Sequence, residues 1–135
     1  MKKLLVLFLS FIIILAACGK KEVSLDDIVK EFQNEKLSTH DLKTMTKDDF
    51  GPAPMASEKA KIFTVEGNRH ARIFKFKNDS DLKTTKKYYD ELGKASALFY
   101  SHTYAKGNYL IQMNGDVKEE TFEKYKKVME KLIEE

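Results

Sequence analysis

The chain opens on an apolar run, Leu4 to Ala17, relieved only by Ser10 and preceded by the basic Met1-Lys2-Lys3. Its 14 residues fall short of the roughly 20 needed to span a bilayer and match the 7–15 of a secretory h-region. From Ser24 the period becomes helical, with Leu25, Ile28, Val29 and Phe32 on one face. Ser24 followed by Asp27 reads as a capping box, and Val23 stands where it can staple onto Ile28. A helix over residues 24–36 is expected. Residues 37–58 hold no sustained period, and Pro52 and Pro54 forbid regular pairing. They are expected to form an irregular connection in which Thr39 to Met45 has room for a short helix.

From Lys59 the period changes to two. Lys61 to Val65, a turn at Glu66-Gly67-Asn68-Arg69, and His70 to Phe76 predict a hairpin. Asn78-Asp79-Ser80 offers helix caps, and Leu82, Thr85, Tyr89, Leu92 and Ser96 share a helical face. Ala97 to Tyr104 and Asn108 to Asn114 predict a second hairpin about Ala105-Lys106-Gly107-Asn108. Gly115-Asp116 then opens a last helix, with Asp116 as cap and Glu119 three residues on. Phe122, Tyr125, Val128, Met129 and Leu132 form its buried stripe, and Glu120–Lys124 and Glu123–Lys127 pair on its wet face.

The expected fold is therefore α+β in a single domain, α-β-β-α-β-β-α, with a four-stranded mixed sheet and helices mainly on one face. Residues 1–17 are set apart as a signal peptide, 18–23 as a short basic linker, and 59–134 as two hairpin-plus-helix units. The middle helix leads directly from the second strand to the third, so these should run parallel through a right-handed crossover. The two hairpin tips then fall at opposite ends of the sheet, and Arg69 and Lys106 should not share a site.

The apolar run ends in Leu15-Ala16-Ala17-Cys18, which resembles the lipobox of bacterial prolipoproteins at all four positions. The resemblance implies cleavage between Ala17 and Cys18 and a diacylglyceryl group on the Cys18 thiol, with palmitate-type acyl chains and no other cofactor. Cys18 is the only cysteine of the chain, so neither a disulfide framework nor a cysteine-based zinc site is available. Two or more acyl chains hold a protein stably on a bilayer where one does not. Lys20 and Lys21 are placed to meet anionic headgroups, and Gly19 to Val23 reach at most about 17 Å when extended. The expected location is the outer face of the cytoplasmic membrane.

Composition narrows the function. The 135 residues carry Lys+Arg 24 against Asp+Glu 21. Leaving out Lys2 and Lys3 takes the formal charge from +3 to +1, which offers no electrostatic footprint for nucleic acid. The length suits one domain with a modest core.

Thr46-Lys47-Asp48-Asp49-Phe50-Gly51, Arg72-Ile73-Phe74, the run Lys87 to Ala97 and Gln112-Met113-Asn114-Gly115-Asp116 together resemble a group of small lipoproteins of Gram-positive bacilli loosely labelled stress proteins. The resemblance spans most of residues 18–130. It implies a host type and a membrane location, and it carries no catalytic residues.

Catalytic chemistry finds little support in the sequence. His40, His70 and His102 are the only histidines and lack the i,i+2 or i,i+4 spacing of many metal sites. Asp48-Asp49 lacks the alternating ligands of a calcium loop. There is no Gly-x-Ser-x-Gly elbow and no phosphate-binding glycine loop. Glu66 with His70, or His102 among tyrosines, are the acid–base pairings that spacing permits. The more informative feature is apolar: on a sheet covered on one side, Ile62, Ile73, Phe99 and Leu110 would form a patch on the other, suited to ligand or protein contact, unless the first helix or the long loop covers it. The expectation is a lipid-anchored extracytoplasmic binding or accessory protein acting without catalysis, near a membrane-protein or envelope partner and with no oligomeric state assigned. The rival readings are a small envelope enzyme with an acid–base site and an immunity or exclusion factor blocking a membrane partner.

Overall fold

The computed structural model describes residues 22–133. The residues expected to form the signal peptide and lipobox, Ala17 and Cys18 included, lie outside them, as do Lys20 and Lys21. The elements in order are α1 (Leu25–Asn34), β1 (His40–Thr44), the four-residue helix α2 (Lys47–Phe50), β2 (Lys59–Glu66), β3 (Arg69–Lys75), α3 (Asp79–Ala95), a 3-10 turn (Ala97–Phe99), β4 (Ser101–Lys106), β5 (Tyr109–Asn114) and α4 (Glu119–Leu132).

Helix α1 begins as its sequence requires. The Asp27 N–H donates to Ser24 Oγ and the Ser24 N–H to Asp27 Oδ2, both at 3.0 Å. It ends two residues short of the expected boundary because Lys36 adopts φ 61°. Lys36 N–H then bonds Gln33 C=O and Leu37 N–H bonds Phe32 C=O, the paired closure of a Schellman cap made without glycine.

One five-stranded antiparallel sheet runs β1-β2-β3-β5-β4. This corrects the four-stranded mixed sheet in two ways. The fifth strand, β1, comes from the segment expected to be irregular or helical. His40–Thr44 is exposed at every position, so no alternation marks it, and a bulge lies between His40 and Lys43. The second and third strands of the expected order, joined by the crossover, are not neighbours. β3 and β4 point the same way, but β5 lies between them and makes every neighbouring pair antiparallel. The hairpin tips do lie at opposite ends of the sheet, each turning on a glycine in the left-handed region, Gly67 (φ 52°) and Gly107 (φ 55°).

Helices cover both faces, which corrects the one-sided arrangement. On the first face α1 and α4 bury Phe63, Val65, Ala71, Ile73, Ile111 and Met113. Phe32 of α1, Phe63 of the sheet and Tyr125 of α4 meet there with ring centroids 5.0–6.0 Å apart. On the second face α3 and the segment 45–54 cover Ala60, Ile62, Phe74, Phe76 and Leu110. The two layers share β5, whose Tyr109, Leu110, Ile111, Gln112 and Met113 are all buried.

Two local expectations also change. Residues 97–99 form a 3-10 turn, so β4 starts at Ser101. Ser96 caps that turn, its Oγ accepting from the Leu98 N–H at 3.3 Å. The N-cap position of α4 is Lys118, which makes no side-chain capping bond, and not Asp116; the Asp116 N–H closes a turn onto Asn114 Oδ1, and Val117 sinks into the core before the helix begins. On its wet face Lys126 pairs with Glu123 at 3.6 Å, and neither Glu120–Lys124 nor Glu123–Lys127 forms.

The chain enters at the end of the sheet where β3 finishes. Glu22 pairs with Lys75 at 3.0 Å, Asp26 with Lys61 at 3.0 Å, and the Tyr109 hydroxyl donates to Val23 C=O. Helix α4 returns to the same end, where Lys106 Nζ donates to Glu130 C=O. The far end, about 23 Å away along a seven-residue strand, carries the β2–β3 tip and the turn at 97–100.

Candidate functional site

The patch expected of Ile62, Ile73, Phe99 and Leu110 does not exist as one surface. Ile73 is 0% exposed beneath α1 and α4, while Ile62 and Leu110, at 6% and 0%, lie under α3 and the 45–54 segment on the opposite face. The long loop thus covers the second face, as the alternative held, and only Phe99 reaches solvent. It does so with its neighbours: Leu98, Phe99 and Tyr100 are 84%, 56% and 51% exposed. Three consecutive apolar side chains project from the 3-10 turn at the end of the sheet remote from Glu22. Alternation had assigned them to a strand. The competing signal was Ser96, a cap immediately after a helix that needed a stop.

Across the second face runs a polar band that the sequence did not disclose. Cross-strand register aligns Ile62, Arg72, Gln112 and Thr103 in one row. The Arg72 Nε–H donates to the Asp49 C=O at 3.2 Å, and Nη1 donates to Gln112 Oε1 at 3.1 Å. Gln112 is 4% exposed and is itself held by donating from Nε2 to Ser101 Oγ at 2.8 Å. A half-buried guanidinium is therefore fixed by two neutral acceptors, and among the described residues no carboxylate stands within ion-pair distance of it. At the α3 side, Asp90 accepts from Thr103 Oγ1 at 2.6 Å and Lys86 Nζ at 2.7 Å. Burial alone would raise the Asp90 pKa, but these two donors outweigh it and hold the carboxyl below its ordinary value.

Arg72 lines a groove of about 360 Å³ together with Asp41, Lys43, Asp48, Asp49 and His70, over Ile62 and Thr64. Asp49 is committed. Its Oδ2 accepts from the Thr46 N–H at 2.7 Å and the Thr46 hydroxyl at 3.0 Å, and Lys43 Nζ lies 3.2 Å from Oδ1. The Thr46 backbone N–H, with help from Lys43, lowers the Asp49 pKa. Asp41, at φ 55° in the β1 bulge, accepts only a long 3.5 Å bond from Thr64.

The acid–base pairings allowed by spacing are not assembled. Glu66 pairs with Arg69 at 3.5 Å and makes no bond to His70. His102 is 7% exposed, with Nε2 2.6 Å from Val117 C=O and its ring stacked on Phe122 at 5.0 Å. That is a structural histidine holding the entry to α4. His40, Thr64 and His70 form one cross-strand row, which sets the two histidines on the strands either side of β2, their backbones about 10 Å apart. Among the described residues no group of three His, Cys, Asp or Glu is placed to hold a metal, and no helix is long and apolar enough to cross a membrane.

Comparison with known protein families, curated proteins and solved structures finds no match to this chain.

Proposed function

We propose that this chain is a lipid-anchored extracytoplasmic binding or accessory lipoprotein of a Gram-positive cell envelope, held at the outer face of the cytoplasmic membrane and acting without catalysis. The observation that carries the reading is Leu15-Ala16-Ala17-Cys18 at the close of an apolar run, with the folded domain beginning at Leu25. Such a short link keeps the domain at the bilayer, and its partner is then a membrane-held protein or the lipid surface. The location of exposed Lys59 and Lys77 beside the point of chain entry supports contact with anionic headgroups. At the other end, the exposed Leu98-Phe99-Tyr100 turn has the composition of a contact surface. The groove over Arg72 has fixed polar groups but no assembled nucleophile, base and orienting group, which favours binding over the rival enzymatic reading.

Metabolic labelling with palmitate tests the anchor. The native chain should incorporate label and Cys18→Ala should not; label in the variant refutes the lipobox. Exporting the Cys18→Ala domain through an ordinary signal peptide removes the effective concentration of a shared surface. If that soluble form at native expression restores a deletion strain, action at the membrane is refuted.

A further inference from the structure

The groove on the second sheet face holds an unusual distribution of charge. Its floor carries one cation, Arg72, whose Nε–H and one Nη1 N–H are used by Asp49 C=O and Gln112 Oε1. A guanidinium has five N–H donors, so three remain, including both on Nη2. Two neutral acceptors fix the plane of the group without neutralising it. Its rim carries Lys43 and Asp49, which cancel as an ion pair, and then Asp41 and Asp48, which no cation among the described residues balances. His70 completes the lining. The groove is therefore positive at one fixed point on its floor and negative at its rim.

That arrangement discriminates between ligand chemistries. A phosphate dianion would gain Arg72 but face two unbalanced carboxylates, and a simple cation would gain the carboxylates but face the guanidinium. A molecule carrying both a carboxylate and an ammonium meets each charge with its opposite. Arginine is also the side chain suited to planar, bidentate recognition of a carboxylate. The volume of about 360 Å³ is at the small end of the range for ligand sites, roughly 300–1,000 Å³.

We infer that this groove binds a small zwitterion of amino-acid or dipeptide size, its carboxylate on Arg72 and its ammonium against Asp41 and Asp48. The inference rests on the binding reading of the domain and names the ligand class. Gln112 and Asp49 act as positioning groups, since they hold the guanidinium and leave the ligand to its free N–H donors.

The test is a titration of the full ¹⁵N-labelled chain in detergent micelles, followed by NMR shifts of the Arg72 Nε–H and the Thr64 amide. The probes are L-alanine, L-alanyl-L-alanine, N-acetyl-L-alanyl-L-alanine, L-alanyl-L-alanine amide and inorganic phosphate. Alanine or the free dipeptide should give saturable shifts, and for the dipeptide either blocked end should weaken binding at least tenfold. Phosphate should leave the site unmoved at the same concentrations. Arg72→Lys should weaken binding of the zwitterion at least tenfold, because an ammonium cannot keep both positioning bonds and still present a fork. Asp41→Asn combined with Asp48→Asn, at exposed positions that bury nothing, should leave less than a threefold preference for the free dipeptide over its N-acetyl form. Absence of saturable shifts with both zwitterions, phosphate binding as tightly as they do, or unchanged binding in a variant that keeps the native spectrum overturns the inference. Palmitate labelling reads the anchor alone, so either reading can fail without the other.

Discussion

Gly115→Ala tests how the apolar turn is fastened to the sheet. Gly115 does not lie in the left-handed region, so the backbone conformation itself admits alanine. What it does not admit is the added carbon, which would lie 2.2 Å from the Tyr100 carbonyl oxygen, 2.9 Å from its carbonyl carbon and 2.8 Å from its ring. The first contact is about 1 Å inside even a weak C–H···O approach, for which the carbon–oxygen distance is roughly 3.3 Å. The clash is with backbone, and that backbone is pinned. Tyr100 N–H bonds Ala97 C=O at 3.3 Å, Ser101 pairs with Asn114 in the first rung of β4–β5, and the Tyr100 ring sits edge-on to His102 at 5.3 Å. Relief requires one of these contacts to give, so the cost belongs to the upper part of the range for overpacking, about 2–3 kcal/mol. For a domain of this size that lowers Tm by roughly 8–13 °C, measured by circular dichroism on the folded domain. Two controls define the cause. Tyr100→Ala in the Gly115→Ala background should not restore Tm, because the closest atom is the carbonyl oxygen. Gly93→Ala, whose new carbon would meet the Tyr100 ring at 3.2 Å and its Cα at 3.3 Å, should change stability by less than about 1 kcal/mol, as helix propensity offsets a displacement of only a few tenths of an ångström between α3 and Tyr100. A Tm loss below about 3 °C for Gly115→Ala, or full rescue by Tyr100→Ala, refutes the account.

Two titrations test other joints. Burial, with Glu66 nearby, pushes the Tyr125 phenol up to about 12; the folded state thus disfavours the phenolate, and this contribution to stability is complete below pH 10 and lost as pH rises towards 12. Tyr125→Phe removes the bond donated to Ser38 C=O at 2.7 Å and should cost about 1–2 kcal/mol in urea unfolding while abolishing that alkaline dependence; equal stability would refute it. Asp49 has a pKa below its ordinary 3.8, so its tie to Thr46 is fully present above that pH and lost as pH falls through the lowered value. Carboxyl NMR titration should show this, and a midpoint at or above 3.8 would contradict the geometry.

Local chemistry determined a good part of this molecule in advance. The Ser24–Asp27 capping box, both glycine-turned hairpins and the buried faces of α1, α3 and α4 depend on residues within a few positions of one another, where period and turn type act directly; the opposite placement of the hairpin tips follows from the handed crossover through α3. Even the interior place of β5, between β3 and the edge strand β4, left a trace, since Tyr109-Leu110-Ile111-Gln112-Met113 is far more apolar than Ser101 to Lys106, as a strand buried on both faces must be. Tertiary packing decided the rest. His40–Thr44 is a strand because β2 offers it an edge, not because its side chains alternate. The second face is closed by α3 and by residues 45–54, the connection between β1 and β2 folded back over the sheet, so the part of the expected apolar patch on that face became core. Arg72 reads as an ordinary polar position of a strand. It becomes the fixed cation of a groove only because the sheet sets Gln112, forty residues away, beside it and the loop lays the Asp49 carbonyl on its other side, and neither approach has any signature in local sequence.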